Sequence, residues 1–424
     1  MNAEEAAVAE EKLRAGARGN GEAGVSQGEA AAMSDGIRRL VSENRDYVVA
    51  MRRHFHAFPE LSTQEVKTQE RIVAELAAMG LTPVKAAGTG VVAEIKGARP
   101  GRTVAVRADM DALPIQDECG QPYESQNSGV CHACGHDGHM AMLLGLAKVL
   151  LPLRAELAGT VRLLFQPSEE MPPGGAVTLI EEGFLDGVDA IIGAHLWQPL
   201  PIGQLGLSFG RMMAQPGAFA IVLQGKGGHG STPHIAVDPI LVGAAVVQGL
   251  HTIVSRSIDP LEPVVVSVGV FQAGRVYNVI PDTARIEGTI RVFDGETLKA
   301  VHRRIEQIVK GVCEAHGAEY EFTTSGSCPP LVNDAVVARR VWRAGEAVLG
   351  DAGVSEVKPV LGGEDFSCYL QKVRGAFMFV GAGNAAKGLV YPHHHPKFDI
   401  DEAALAHGVE VLARSAIDLL TAEL

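Results

Sequence analysis

The stretch Cys131-His132-Ala133-Cys134-Gly135-His136-Asp137-Gly138-His139 brings two thiols, three imidazoles and a carboxylate together around two glycines, and no other part of the chain is so dense in metal-binding groups. Thiolate and imidazole are favoured ligands of zinc and similar divalent ions, and glycine lets the backbone turn tightly enough for near neighbours to converge. A zinc knot made only here would be cramped, and no later Cys-x-x-Cys pair completes one. Other donors lie elsewhere. Glu169-Glu170 follows an apolar run, and adjacent carboxylates point in different directions, so one can bind metal while the other moves a proton between an attacking water and a leaving amine. His195 ends a second apolar run, where a satisfied core histidine is the competing reading. The run His393-His394-His395 supplies further imidazoles. Cys134, His136, Glu170, His195 and His394 together can make one or two sites of mixed soft and hard ligands. Asp109 and Asp111 read as caps or surface groups, or as carboxylates that grip a ligand imidazole. Asp137 and His139 read as groups behind the ligands or as helix caps, and Cys131 as a bystander.

These residues need elements to hold them. Apolar spacing predicts a helix over 36–58 stopped by Pro59, and a second from an N-cap at Ser62 or Thr63 to Gly80. Strands over 91–95 and 103–107 follow, the latter running into Asp109. The run 139–151 reads as a buried helix with the cluster in the loop at its N-terminus, an electropositive end that favours thiolate. A strand over 161–165 leads to Glu169, a helix covers 177–182, and a strand over 190–194 delivers His195. This alternation predicts an open α/β sheet with its site along one edge. From residue 214 the pattern changes to strand 218–224, helix 238–254, strands 264–271 and 284–292, helix 296–316 and strand 319–324. That βαββαβ order is a ferredoxin-like split unit. Segments 335–348, 376–380 and 402–420 then resume the first pattern. The expected organisation is a mobile tail over 1–34, a metal-binding catalytic domain from 35–213 and 329–424, and an inserted α+β lid or dimerisation domain over 214–328.

The 424 residues exceed one ordinary core. A formal charge of -13 argues against nucleic acid or anionic membrane as partners, which want clustered Lys and Arg. The cysteines at 119, 131, 134, 313, 328 and 368 form no regular framework, which points to a reducing compartment. Residues 1–32 lack the continuous apolar core of a secretory signal. The longest apolar run, 140–153, is interrupted by Lys148 and falls short of the roughly 20 residues a membrane span needs. A soluble cytoplasmic protein is the expectation.

Nine blocks in order resemble the metal-dependent aminoacylase and carboxypeptidase-type amidohydrolases, in particular the branch of hippurate hydrolases and indoleacetyl-amino acid hydrolases. They are His54-Phe-His-Ala-Phe-Pro-Glu-Leu, Arg107-Ala-Asp-Met-Asp-Ala-Leu-Pro, His132-Ala-Cys-Gly-His-Asp-Gly-His, Phe165-Gln-Pro-Ser-Glu-Glu, Gly193-Ala-His-Leu-Trp, Gly227-Gly-His-Gly-Ser-Thr-Pro-His, Tyr277-Asn-Val-Ile-Pro-Asp, Gly362-Gly-Glu-Asp-Phe and His394-His-Pro-Lys-Phe. The resemblance implies a metallopeptidase-like open mixed sheet with flanking helices, interrupted by the ferredoxin-like insertion. It implies two divalent ions, zinc or manganese with cobalt or nickel also compatible, held by Cys134, His136, Glu170, His195 and His394. His394 is chosen because the family pattern is His-x-Pro. Glu169 would be the general base and acid, with Asp109 and Asp137 behind the ligands. His229 would help hold the developing oxyanion, reaching a neighbouring subunit's site in a homodimer, and Asn278 and Arg291 would grip the substrate carboxylate. The expected reaction is hydrolysis of N-acyl amino acids. The alternatives are a carboxypeptidase or dipeptidase and, in another class, a noncatalytic metal-binding assembly protein.

Overall fold

Apolar residues at helical spacing, among them Ile37, Leu40, Val41, Val48, Met51 and Phe55, give the first helix, α1 (Gln27–Ala57), its buried face. The computed structural model describes residues 27–326 and 328–424. Residues 27–34 therefore belong to a helix rather than to the expected tail, and 1–26 lie outside the described residues. The next helix, α2 (Val66–Ala78), is preceded by Glu65 and not capped by Ser62 or Thr63. The Ser62 hydroxyl is committed to Asp111, and Thr63 sits at φ 68, which puts both in a turn ahead of the helix.

Next come β1 (Val84–Ala86), β2 (Gly90–Lys96), β3 (Arg99–Asp109), α3 (His136–Leu153), β4 (Ala158–Gln166), α4 (Gly175–Glu181), β5 (Ala190–Pro201), β6 (Leu205–Leu207) and β7 (Arg211–Met213). The inserted unit contains β8 (Gln215–Gln224), β9 (Gly228–His229), α5 (Pro239–Leu250), α6 (Thr252–Arg256), β10 (Val265–Ala273), β11 (Val279–Ile280), β12 (Thr283–Val292), α7 (Gly295–His316) and β13 (Glu319–Gly326). The chain closes with β14 (Leu331–Val332), α8 (Ala335–Leu349), β15 (Val354–Glu356), α9 (Phe366–Leu370), β16 (Gly375–Gly383) and α10 (Ala403–Thr421).

The larger sheet is open and mixed, in the order β1-β2-β4-β3-β5-β16-β6-β15, with β4, β3, β5 and β16 mutually parallel. Every residue of β16 is buried, as expected of a central strand covered on both faces. The helix α3 is apolar nearly all round and lies between α1 and α10. The insertion forms a four-stranded sheet, β10-β12-β8-β13, antiparallel throughout, with α5 and α7 packed on it. This is the ferredoxin-like arrangement expected from the βαββαβ order. The helix expected over 238–254 is divided at His251 into α5 and α6. The chain enters the insertion after β7 and leaves it before β14, and those two strands pair through Met213 and Leu331.

Strand register positions the site. Asp109 pairs with Gln166 at the end of β4, Arg107 with Gly193 of β5, and His195 with Phe379 of β16. Asp109, the Glu169 loop and His195 are thus brought to one level along the carboxyl side of the sheet. His195 lies inside β5 rather than at its end, because the strand continues to Pro201.

Candidate active site

Two carboxylates at the end of β3 organise the histidines. Asp109 is fully buried; its Oδ1 accepts from His139 Nδ1 at 2.6 Å and its Oδ2 from Arg107 Nη1 at 2.7 Å, with His136 Nε2 at 3.6 Å. The Leu196 N–H donates to His139 Nε2 at 2.8 Å, which assigns the His139 proton to Nδ1. The Asp111 carbonyl accepts from His136 Nδ1 at 2.9 Å, leaving Nε2 available to the cluster. Asp111 Oδ2 accepts from the Ser62 hydroxyl at 2.6 Å and from the Glu170 N–H at 3.0 Å. One side chain therefore ties a turn to the backbone that carries Glu170. Burial opposes charge on His136, but Asp109 and Asp111 overcome it and push its pKa up to about 10.

His136 is the first residue of α3, preceded by Gly135 at φ 96, a conformation that costs glycine little. Cys134 lies in the loop before it, with Sγ 3.5 Å from His195 Nε2. His195 Nδ1 donates to the Leu196 carbonyl at 3.0 Å, so Nε2 presents its lone pair, and burial together with His139 and His393 keeps the ring neutral. Burial and the nearby Glu170 and Glu169 carboxylates push the Cys134 pKa well up, in the opposite sense to the helix end.

The His393 to His395 run separates by environment. His394, at φ 64, places Nε2 3.2 Å from Glu170 Oε1 and joins a group with Cys134 and Glu170. His393 packs on Trp197 and donates through Nε2 to the Leu196 carbonyl at 3.0 Å, while His395 stacks on Tyr391. Cys134, His136 and His195 form one group of donor atoms within 4.8 Å of one another, and Cys134, Glu170 and His394 form a second. His136, Glu169 and Glu170 form a third. The buried Glu170 Oε1 has the His394 ring nitrogen as ion-pair partner but no well-aligned hydrogen bond among the described residues. That oxygen and the mix of thiol, imidazole and carboxylate suit divalent metal.

Glu169 stands beside these donors. Its withdrawal from water, then repulsion from Glu364, Glu170 and Asp365, push its pKa well up, against the pull of Arg107. The turn that presents it is held from behind: Glu65 Oε1 accepts from the Ser168 N–H at 2.9 Å, and the Ser168 hydroxyl accepts from the Thr63 N–H at 2.8 Å.

An open cavity of about 560 Å³ is lined by Cys134, Glu169, Glu170, His195 and His394. Pro216 and Arg291 of the insertion line it as well, so the insertion supplies a cation to the same cavity. Arg291 Nε donates to the Leu361 carbonyl at 3.0 Å. His229 and Asn278 are elsewhere. They meet on the exposed β9–β11 ribbon, where the Gly230 N–H donates to the Asn278 carbonyl at 2.9 Å, and neither is among the described residues lining this cavity. Asp137, expected behind the ligands, touches no donor side chain directly: its Oδ2 accepts from Arg52 Nε at 2.8 Å and from His56 Nδ1 at 2.7 Å.

Sequence reasoning missed the acidic wall behind Glu169. Arg107 is buried, and its Nη2 lies 2.8 Å from Asp365 Oδ1 and 3.0 Å from Glu364 Oε1. Gln166 bridges the two, accepting from Arg107 Nε at 2.8 Å and donating to Asp365 Oδ2 at 2.7 Å. The signal available was Gly362-Gly363 ahead of two acids. A Cβ at Gly363 would lie 2.8 Å from Pro216 Cγ, so this glycine permits the close approach of the insertion to the wall.

Comparison with known proteins agrees with this architecture. Residues 105–418 match the profile of peptidase family M20/M25/M40. An N-acyl-L-amino acid amidohydrolase of Geobacillus stearothermophilus is 51% identical over 298 residues, covering 70% of this chain and 80% of the relative. Thermostable carboxypeptidase 1 of Saccharolobus solfataricus is 39% identical over 382 residues, covering 88% and 96%. The crystal structure of Bacillus subtilis YXEP protein, described as a dinuclear metal binding peptidase, superimposes with a TM-score of 0.78 at 37% identity, covering 89% of this chain and 99% of that one. With an open mixed sheet, a ferredoxin-like insertion and this donor cluster, the chain belongs to the M20/M25/M40 family of metallopeptidases and amidohydrolases.

Proposed function

We propose that this protein hydrolyses the amide bond of N-acyl amino acids, of the hippurate or indoleacetyl-amino acid kind, to a carboxylic acid and a free amino acid. The observation that carries the reading is Glu169 beside the Cys134, His136, Glu170, His195 and His394 donors, with Arg291 among the residues lining the same cavity. Those five residues would hold two divalent ions, zinc or manganese, with cobalt or nickel also compatible. When bound, the ions supply Lewis acidity toward the amide carbonyl and the attacking water. Arg291 pairs with the carboxylate of the amino-acid half and so sets the scissile bond near the donor cluster. Glu169 takes the proton of the attacking water and returns it to the departing nitrogen, which leaves as an amine. Asp109 and Asp111 hold His139 and His136 in fixed tautomers.

A carboxypeptidase or dipeptidase activity is the second reading, favoured by the carboxypeptidase relative and by the openness of the cavity. Both readings use a terminal carboxylate. The test is a panel of N-acetyl, N-benzoyl and indoleacetyl amino acids beside dipeptides. Activity should vanish on chelation and return on adding zinc or manganese, and C-terminally amidated substrates should be poor because Arg291 loses its anion. Equal turnover of amidated and free-acid substrates would remove Arg291 from the assignment.

His229 and Asn278, exposed and away from their own cavity, act in this reading on a second copy's site in a homodimer. Mixing inactive Glu169→Gln and His229→Ala chains under subunit exchange should then restore up to roughly a quarter of the sites, the statistical share in a two-fold dimer. No recovery from a dimer shown to exchange would place the His229 role elsewhere. No helix among the described residues is long and apolar enough to cross a membrane. A cytoplasmic location fits the cysteine usage.

A further inference from the structure

Behind the donor cluster lies a second set of buried charges that the reaction does not use. Arg52 is fully buried on α1; Nε donates to Asp137 Oδ2 at 2.8 Å, Nη2 donates to Asp399 Oδ1 at 2.6 Å, and the guanidinium carbon sits 4.6 Å above the Tyr123 ring. The Tyr123 hydroxyl donates to Asp399 Oδ2 at 3.0 Å. His56 lies between Asp137 and Asp117, at 2.7 and 3.2 Å.

This set is not a further metal site, although His56, Asp117 and Cys119 lie close enough together to suggest one. Both ring nitrogens of His56 face carboxylates, and both Asp117 oxygens accept backbone N–H groups, from Cys119 at 2.9 Å and from Ser125 at 2.8 Å. A neighbouring guanidinium would also repel a cation.

The arrangement has a different logic. Asp137 follows His136 directly, and Asp399 follows the His394 loop. Each carboxylate fastens its own backbone, Asp137 through the Gly138 N–H at 2.8 Å and Asp399 through the Ile400 N–H at 2.9 Å, and then takes one arm of the same guanidinium. In front, the His394 N–H donates to the Ala133 carbonyl at 2.8 Å. His394 is held at φ 64, a conformation that a non-glycine residue keeps only when its surroundings enforce it.

We propose that Arg52 is a positioning residue for the metal centre: its fork clamps the segment bearing Cys134 and His136 to the segment bearing His394, and so fixes the spacing between donors that the two segments share. This rests on the metal-binding part of the proposed function. Lysine cannot span both carboxylates as a planar fork can, so charge and geometry are separable.

The test is titration of the metal-free chain with manganese(II) by calorimetry, for wild type and for Arg52→Lys, Arg52→Gln, Asp399→Asn and the control Arg39→Gln, an exposed residue of the same helix whose ion pair is with Glu43. Loss of such supporting contacts typically weakens metal binding about ten- to a hundredfold; that range is expected for Arg52→Lys and Asp399→Asn at one of two ions, with wild-type affinity in the control. Should Arg52→Gln fail to fold, the other two variants still decide. Wild-type affinities in Arg52→Lys and Asp399→Asn, with only a lower melting temperature, would overturn the proposal and leave Arg52 a purely structural residue. The affinities read the same way whether or not the wild-type protein cleaves N-acyl amino acids, so failure of the activity reading is a separate result.

Discussion

In the Glu169→Gln variant, kcat on the proposed N-acyl amino acid substrates should fall by about a hundred- to ten-thousand-fold, the usual effect of removing a general base, while bound metal should stay at the wild-type level. Glutamine matches the shape of Glu169 but cannot hold a proton in transit. The proposed donors Cys134, His136, Glu170, His195 and His394 are untouched, so metal content and KM should change little; the lost interaction belongs to the transition state. Glu170→Gln makes the contrast, because it alters the carboxylate in the Cys134 and His394 group and should lower metal content together with rate. The checks are steady-state kinetics and metal analysis on the same preparations. A Glu169→Gln protein with full metal and wild-type turnover would end the assignment.

The second large effect is on stability. Arg107→Met should destabilise the protein by about 3–5 kcal/mol, the typical result of removing one member of a buried ion cluster. Arg107 is in contact with Asp109, Glu364 and Asp365 at once, and methionine leaves three carboxylates facing one another out of reach of water. The pH dependence carries a definite sign. In the metal-free wild-type chain, burial pushes Glu364 up to about 7 and Asp365 up to about 6, with Arg107 holding both down from higher values. The folded chain thus keeps protons that the unfolded chain has lost, and their contribution to stability falls as pH rises from about 4 to about 7. Without Arg107 the folded pKa values rise further. The deficit of the variant should therefore be largest near neutrality and shrink as pH is lowered toward about 4. Urea unfolding of both metal-free proteins across that range would measure it, and a deficit independent of pH would contradict the argument. Glu169 should suffer too, since Arg107 is the cation that draws its pKa down.

Much of this was legible in the sequence because the candidate ligands follow regular elements. A strand running into Asp109 and another leading to Glu169 are local signals, and parallel register aligns them; the helix expected from 139 instead begins at His136, directly after Gly135 at φ 96. Within α3 successive residues do not share a face, whereas residues three apart do, so Asp137 points from His136 toward Arg52 while His139, also expected behind the ligands or as a cap, joins His136 at Asp109. Arg107, Glu364 and Asp365 were hidden for another reason: they are far apart in sequence, and only the packing of α9 against β16 and β5 closes them into one cluster. The short strands β6, β7, β14 and β15 span too few residues to show a period, and the carboxylates that raise the Cys134 pKa come from the distant Glu169-Glu170 loop.

The pairing of Met213 with Leu331 makes the insertion a detachable module. Because the chain leaves and re-enters the larger unit at register partners, a tight turn could join β7 to β14 with the strands of the larger sheet undisturbed. Such a shortened chain would retain all five donors and Glu169 and would lack Arg291, His229 and Asn278. On the proposed roles, the metal donors and Glu169 sit in one block and Arg291, Asn278 and the oxyanion contact of His229 in the other, so exchanging the insertion would alter recognition and oxyanion stabilisation together while the metal donors stay as they are.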